Sequence, residues 1–201
     1  MNIREMNIFT AHCDKYFQQS DCTILHPTED TTVHIDVLVY PPNGKFPFWK
    51  LVTMGVSDYK MPKTKQTLGN RNEYMMFISD QENLRDPDTL SWYREKLLMI
   101  ATYSMATQIP VSYGHSMEWE PEEAESIVGA FLEFPQIIED VGMLCCKLSP
   151  FRTCICLQAV LLTRDDLQML LSVGPQQFSS YLYPEDGRPH YLSQRTRTEQ
   201  F

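Results

Sequence analysis

The sequence predicts an α/β (α+β) fold, a mixed β-sheet of about six or more strands with helices packed against it. Three observations lead there. Short runs alternate apolar and polar residues with a period of two, longer runs repeat apolar residues at three- and four-residue spacing, and Pro- and Gly-containing breaks separate them. The length of 201 residues suits one domain with a real core, set at residues 1–183, followed by a polar tail at 184–201.

In chain order, Ile3, Met6, Phe9, Cys13, Tyr16 and Phe17 form the apolar stripe of a helix over about Asn2 to Gln18. Thr23 to His26 reads as a short strand closed by Pro27. Val33, Ile35, Val37 and Val39 alternate with His34, Asp36, Leu38 and Tyr40, a strand buried mainly on one face. Pro41-Pro42-Asn43-Gly44 turns the chain. A second strand follows at Trp49 to Met54 and ends at Gly55, and Ser57 and Asp58 can fold back onto backbone amides. Lys60 to Arg71 is polar and reads as an exposed loop. Asn72 to Ser79 is apolar on both faces, which places it centrally in the sheet. Asp86-Pro87-Asp88 starts the longest helix, Pro87 to Thr107. Val111 to Trp119 is a strand candidate interrupted by Gly114, and Ile127 to Phe134 is another. Ile137 to Leu148 and Thr153 to Leu162 pair as a hairpin around Ser149-Pro150-Phe151-Arg152. Thr163 to Asp166 resembles a capping box, the helix behind it stops at Gly174-Pro175, and Gln176 to Leu182 forms the last helix. From Pro184 onward a polar tail with Arg188, Arg195 and Arg197 is expected to be loosely held.

The net charge of −9 argues against direct nucleic-acid binding, since phosphates would be repelled. No run of 18 apolar residues is present, so no membrane span is expected, and the first residues lack the pattern of a secretory signal. A cytoplasmic chain with its six cysteines reduced is the resulting expectation. Acidic side chains crowd 118–140, with no basic residue among them. Within that run, Glu118, Trp119, Glu120, Glu122 and Glu123 are the candidate partner contacts, an aromatic anchor ringed by acids. The bland alternative is a solvated acidic loop with the indole turned inward.

Chemistry is weakly signalled. His34 and Asp36 lie two apart on one strand and share a face, which would suit a metal or a proton transfer. No third ligand or nucleophile stands at a known spacing, so a hydrogen-bonded pair is the favoured reading. His12, His26, His115 and His190 are isolated in sequence. Ser57 follows Gly55 without a second glycine after it, which makes a structural turn more natural than a nucleophile elbow. Cys145, Cys146, Cys154 and Cys156 come together across the predicted hairpin, but without a Cys-x2-Cys knuckle they read as core thiols rather than zinc ligands. No metal, no cofactor and no catalytic residue is assigned.

The segments VHIDVLVYPP, LVTMGVSDYKMP and NEYMMFI, in that order, resemble the core signature of the Suppressor of fused domain family. The matching positions are His34, Ile35, Asp36, Val37, Thr53, Met54, Gly55, Ser57, Asp58, Met61, Pro62, Glu73 and Tyr74, and the likeness extends over about Tyr16 to Leu182. Among these, His34, Asp36, Thr53, Gly55, Ser57, Asp58 and Glu73 are the polar and glycine positions of the signature, structural or binding in role. The resemblance implies a protein-binding domain. Bacterial members built of this domain alone imply an immunity protein or antitoxin whose partner is a cognate toxin. Animal members, with an added C-terminal domain for which this chain is too short, imply a regulatory scaffold that sequesters a partner. The alternative from another class is an enzyme or metal-dependent protein with a site at His34, Asp36 and Asp58.

Overall fold

In a computed structural model of the chain, residues 1–27, 33–65, 67–121, 126–184 and 190–195 are described. Their strands form one eight-stranded mixed sheet with helices on both faces, an α+β arrangement. The elements run α1 (Ile3–Phe17), β1 (Thr23–Leu25), β2 (Asp36–Tyr40), β3 (Phe48–Met54), a 3-10 turn (Val56–Asp58), β4 (Asn72–Ser79) and α2 (Pro87–Thr107). They continue through β5 (Ser116–Glu118), β6 (Ile127–Glu133), a second 3-10 turn (Val141–Leu144), β7 (Cys145–Ser149), β8 (Arg152–Thr163), α3 (Arg164–Val173) and α4 (Pro175–Leu182).

The strand order is β1-β2-β3-β4-β8-β6-β5, with β7 pairing β8 beside β6. The pairs are antiparallel except β4–β8, where Asn72 lies opposite Ile155 and Met75 opposite Gln158. That seam joins an N-terminal meander to a C-terminal group of strands. Both sheet faces are apolar, so two cores form. Leu38, Tyr40, Val52, Met75 and Phe77 point to the face covered by Phe9, Cys13 and Phe17 of α1 and by α3 and α4. Val37, Val39, Leu51, Tyr74 and Met76 point to the other, covered by Tyr93, Leu97, Ile100 and Ala101 of α2. β4 is buried along its whole length, as its sequence demands of a central strand.

Several elements start where capping chemistry places them. The Asn2 side chain accepts from the Glu5 N–H while Glu5 accepts from the Asn2 N–H, satisfying two of the orphan amides at the start of α1. Asp86 accepts from the Thr89 N–H ahead of Pro87, and Thr163 and Asp166 complete the capping box of α3.

Elsewhere the structure departs from the expectation. β2 begins only at Asp36 and is buried on both faces, because α1 and α2 cover opposite sides of it. Ile3, expected on the covered stripe, is 78% exposed at the start of α1. Val111 to Trp119 yields only the three-residue β5, since Gly114 turns at φ 84°. Ile137 to Leu148 is not a strand through its length: Asp140 caps a 3-10 turn and pairing starts at Cys145. Nor are residues 190–193 of the tail loose. The Ser193 N–H donates to the Phe77 carbonyl (2.8 Å) and the Ser193 carbonyl accepts from the Ser79 N–H (3.2 Å), so the segment lies along β4 where β8 has parted from it. Tyr191 stacks on Tyr183 and is buried. Arg188 and Arg197 lie outside the described residues.

Candidate functional site

Glu73 is the centre of the signature. It sits on central β4 and is wholly buried. Its Oε2 accepts from the Thr53 hydroxyl (2.8 Å), and its Oε1 accepts from the backbone N–H groups of Gly55 (3.0 Å) and Ser57 (2.9 Å). One carboxyl thereby ties the end of β3 and the following 3-10 turn to the neighbouring strand. Burial pushes its pKa up to about 7, against the pull of the four hydrogen-bonding contributions from Ser57, Gly55 and Thr53. Gly55 has φ 126°, and a side chain there would overlap the His34 carbonyl oxygen, so the residue must be glycine for the β2 entry to pass this close.

Asp58 leaves that turn toward the surface and ion-pairs with both the Met1 amino group and Arg152. Burial works to raise its carboxyl, but the two cations outweigh this and hold it below the usual value. Arg152 also pairs with Glu5 of α1 at 3.2 Å. The guanidinium of Arg71 donates to the Asp58 carbonyl at 2.9 Å. The turn 55–58 is therefore a junction where α1, β4 and β8 meet, which accounts for Thr53, Gly55, Ser57, Asp58 and Glu73 falling together. Ser57 is buried with its backbone bonded to Glu73, in keeping with a structural turn.

His34 and Asp36 do not join Asp58. Asp36 is fully buried at the start of β2, and its Oδ1 bonds His34 Nε2 at 2.9 Å. A residue that looked isolated in sequence completes the group: His26 Nδ1 stands 2.8 Å from the same oxygen. The antiparallel register could have shown this. Leu25 lies opposite Val37, so the next step along each chain brings residue 26 beside residue 36. The trio His34, Asp36 and Asp58 of the enzyme alternative is thus split between two structures, with His26 in the place assigned to Asp58.

The acidic stretch is reached from edge strand β5. Glu118 and Glu120 are exposed, and Glu118 pairs with Arg164. Trp119 is half-buried and packs against the α2-side core, with its indole N–H shielded from water. It is not the solvent-facing anchor of the bolder reading. Glu122 and Glu123 lie outside the described residues. Cys146, Cys154 and Cys156 are buried, Cys146 directly opposite Cys154, and the hydrogen bond with the Cys154 thiol, together with burial, raises the Cys146 thiol above its ordinary value. The residue missed altogether is Lys50. A lysine within a strand would ordinarily face solvent, but this one is fully buried, donating to Gln19 Oε1 (2.7 Å) and the Pro41 carbonyl (2.9 Å), and burial brings its pKa down to about 8.

Comparison with known proteins follows the fold. The family model described as Suppressor of fused protein (SUFU) matches residues 31–193. No curated protein matches the chain. Among solved structures, a chain of the Sufu–Fu complex superposes with a TM-score of 0.70 at 14% identity, covering 97% of this chain and 91% of that one. Drosophila Suppressor of Fused superposes with a TM-score of 0.71 at 13% identity, covering 98% of this chain and 51% of that chain. A Suppressor of fused homologue from Neisseria gonorrhoeae gives a TM-score of 0.69 at 14% identity, covering 98% and 97%. At such identities these likenesses establish a shared fold.

Proposed function

The chain belongs to the Suppressor of fused family, and from that premise we propose that it is a protein-binding domain, a bacterial immunity protein or antitoxin that neutralises a cognate toxin by direct contact in the cytoplasm. The observation that carries the binding reading is the use made of the signature's polar groups. Thr53, Gly55, Ser57 and Glu73 bond one another, and Asp58 bonds Arg152 and the amino terminus, so these groups are engaged in holding the fold together. A relative solved as a Sufu–Fu complex supports a protein partner. The net charge of −9 suits a basic one, through steering and charge pairs at the rim of an interface. Glu118 and Glu120, exposed on the β5 edge, are the described residues placed to meet it. Glu122 and Glu123 extend the same acidic stretch in sequence.

The test is capture of the partner from the native host by the tagged chain, followed by co-expression of the two. Relief of the partner's toxicity is the expected result. A captured partner whose toxicity persists defeats the immunity role. A non-toxic regulator held away from its target would favour the second reading, a scaffold that sequesters a partner, which the same family premise supports.

A further inference from the structure

We propose that His26, His34 and Asp36 form a binding site for one divalent transition-metal ion of the zinc class. The site lies where β1 ends and β2 begins, apart from the Glu73 junction and the acidic edge, and the proposal stands independently of the partner's identity.

Three donor atoms of the right chemistry converge there. His26 Nδ1, His34 Nε2 and an Asp36 carboxylate oxygen all lie within 4.8 Å of one another. Two imidazoles and one carboxylate are a donor set used by zinc and by non-haem iron, where the remaining positions are left to water or another ligand. Here the open side is solvent: the two histidine side chains are 67% and 63% exposed, while the aspartate side chain is fully buried beneath them.

Asp36 supplies the second, independent observation. Its Oδ1 accepts from both rings, yet its Oδ2 is buried with no hydrogen-bond partner among the described residues. A buried carboxylate oxygen left unpaired is costly, and a cation held against that carboxylate would offset the cost. A ring hydrogen bond from each histidine leaves the second oxygen unanswered; a divalent ion more than balances the single negative charge of the carboxylate.

The backbone around the donors is fixed. The Arg94 guanidinium of α2 donates to the His26 carbonyl at 3.0 Å, and Gly55 packs against the His34 carbonyl. The rings are tilted by 45°, with centroids 6.2 Å apart, splayed around the shared oxygen rather than stacked. Metal–ligand bonds of about 2.0–2.1 Å at tetrahedral angles separate donors by roughly 3.3 Å. The present 2.8 and 2.9 Å contacts need to open by a few tenths of an ångström, and the two exposed rings, whose nitrogens lie within 4.8 Å of each other, need to close toward that spacing. On binding, each coordinating nitrogen uses its lone pair, and the ring proton moves to, or remains on, the opposite nitrogen facing solvent.

The experiment is calorimetric titration of chelator-stripped full-length protein with Zn²⁺, in a background where the accessible thiols Cys22 and Cys145 are replaced by serine. The Co²⁺ absorption spectrum reports the ligand type. We expect saturation at one equivalent, a Co²⁺ spectrum of nitrogen and oxygen ligation, and a rise in melting temperature with Zn²⁺. His26→Ala and His34→Ala should each weaken binding roughly tenfold or more, and the double variant should lose both the uptake and the thermal shift. Both rings are largely exposed, so these variants should keep the circular dichroism of the parent. No saturable uptake by the parent overturns the proposal. So does equal affinity in the folded double variant, or a thiolate charge-transfer band in place of imidazole ligation.

Discussion

The Glu73 carboxyl accepts its hydrogen bonds where water is shut out, and its ionisation is therefore coupled to folding. Its folded pKa of about 7 lies above the ordinary 4.5, so the folded state holds the proton more tightly than the unfolded one across that interval. Its contribution to stability is therefore fully present below about pH 4.5 and is lost as pH rises through 7. Urea midpoints measured across that window should fall with pH by this group's share. The share should vanish in Glu73→Gln. That variant should also lose about 1–3 kcal/mol, because an amide cannot match all the donors now aimed at the carboxylate. A pH profile identical in the two proteins would show that Glu73 does not titrate there. Gly55 tests the same junction from the backbone side. Gly55→Ala must adopt a left-handed φ and push the His34 carbonyl away, and should cost more than about 2 kcal/mol in chemical denaturation, whereas the same change at an unstrained position stabilises by up to about 1 kcal/mol.

At the scale of elements, the segment 190–193 behaves as a short ninth participant in the sheet, filling the gap between β4 and the upper half of β8. Ser193→Pro removes the N–H that satisfies the Phe77 carbonyl and should destabilise by about 2–3 kcal/mol, measured by thermal unfolding, whereas a frayed tail would tolerate it. Thr163→Ala, which strips the cap from α3, should cost about 1 kcal/mol by the same measure. These two sites mark what was legible in the sequence. The capping box was readable because its spacing is local, and so were α1, α2 and the doubly apolar β4. The Ser193 insertion was not, since its partner Phe77 lies far back along the chain and nothing in a polar tail announces it. β5 and β7 came out shorter than their apolar runs because turns at Gly114 and Asp140 overrode the strand pattern. Of the candidate sites, the link from His34 to Asp36 was visible in their two-residue spacing. His26 was not, because it reaches them only through the pairing of β1 with β2.

For the whole molecule, the charge is the property that a partner would feel first. If the acidic edge is the contact, Glu118→Lys with Glu120→Lys should slow association by roughly tenfold at low salt and flatten its ionic-strength dependence, with little change in unfolding behaviour. Stopped-flow mixing with the captured partner measures this, and an unchanged rate would move the interface elsewhere. The parallel seam between β4 and β8 has a different consequence, one that concerns how the molecule comes to exist. The meander β1–β4 leaves the ribosome with its far edge unpaired. α2, β5, β6 and β7 must all be made before β8 can cover that edge, on the order of several seconds at ordinary translation speeds. During that wait a long apolar strand lies open to neighbouring nascent chains. Chaperone binding during synthesis, or a slow translation-linked step, should therefore centre on the emergence of β4.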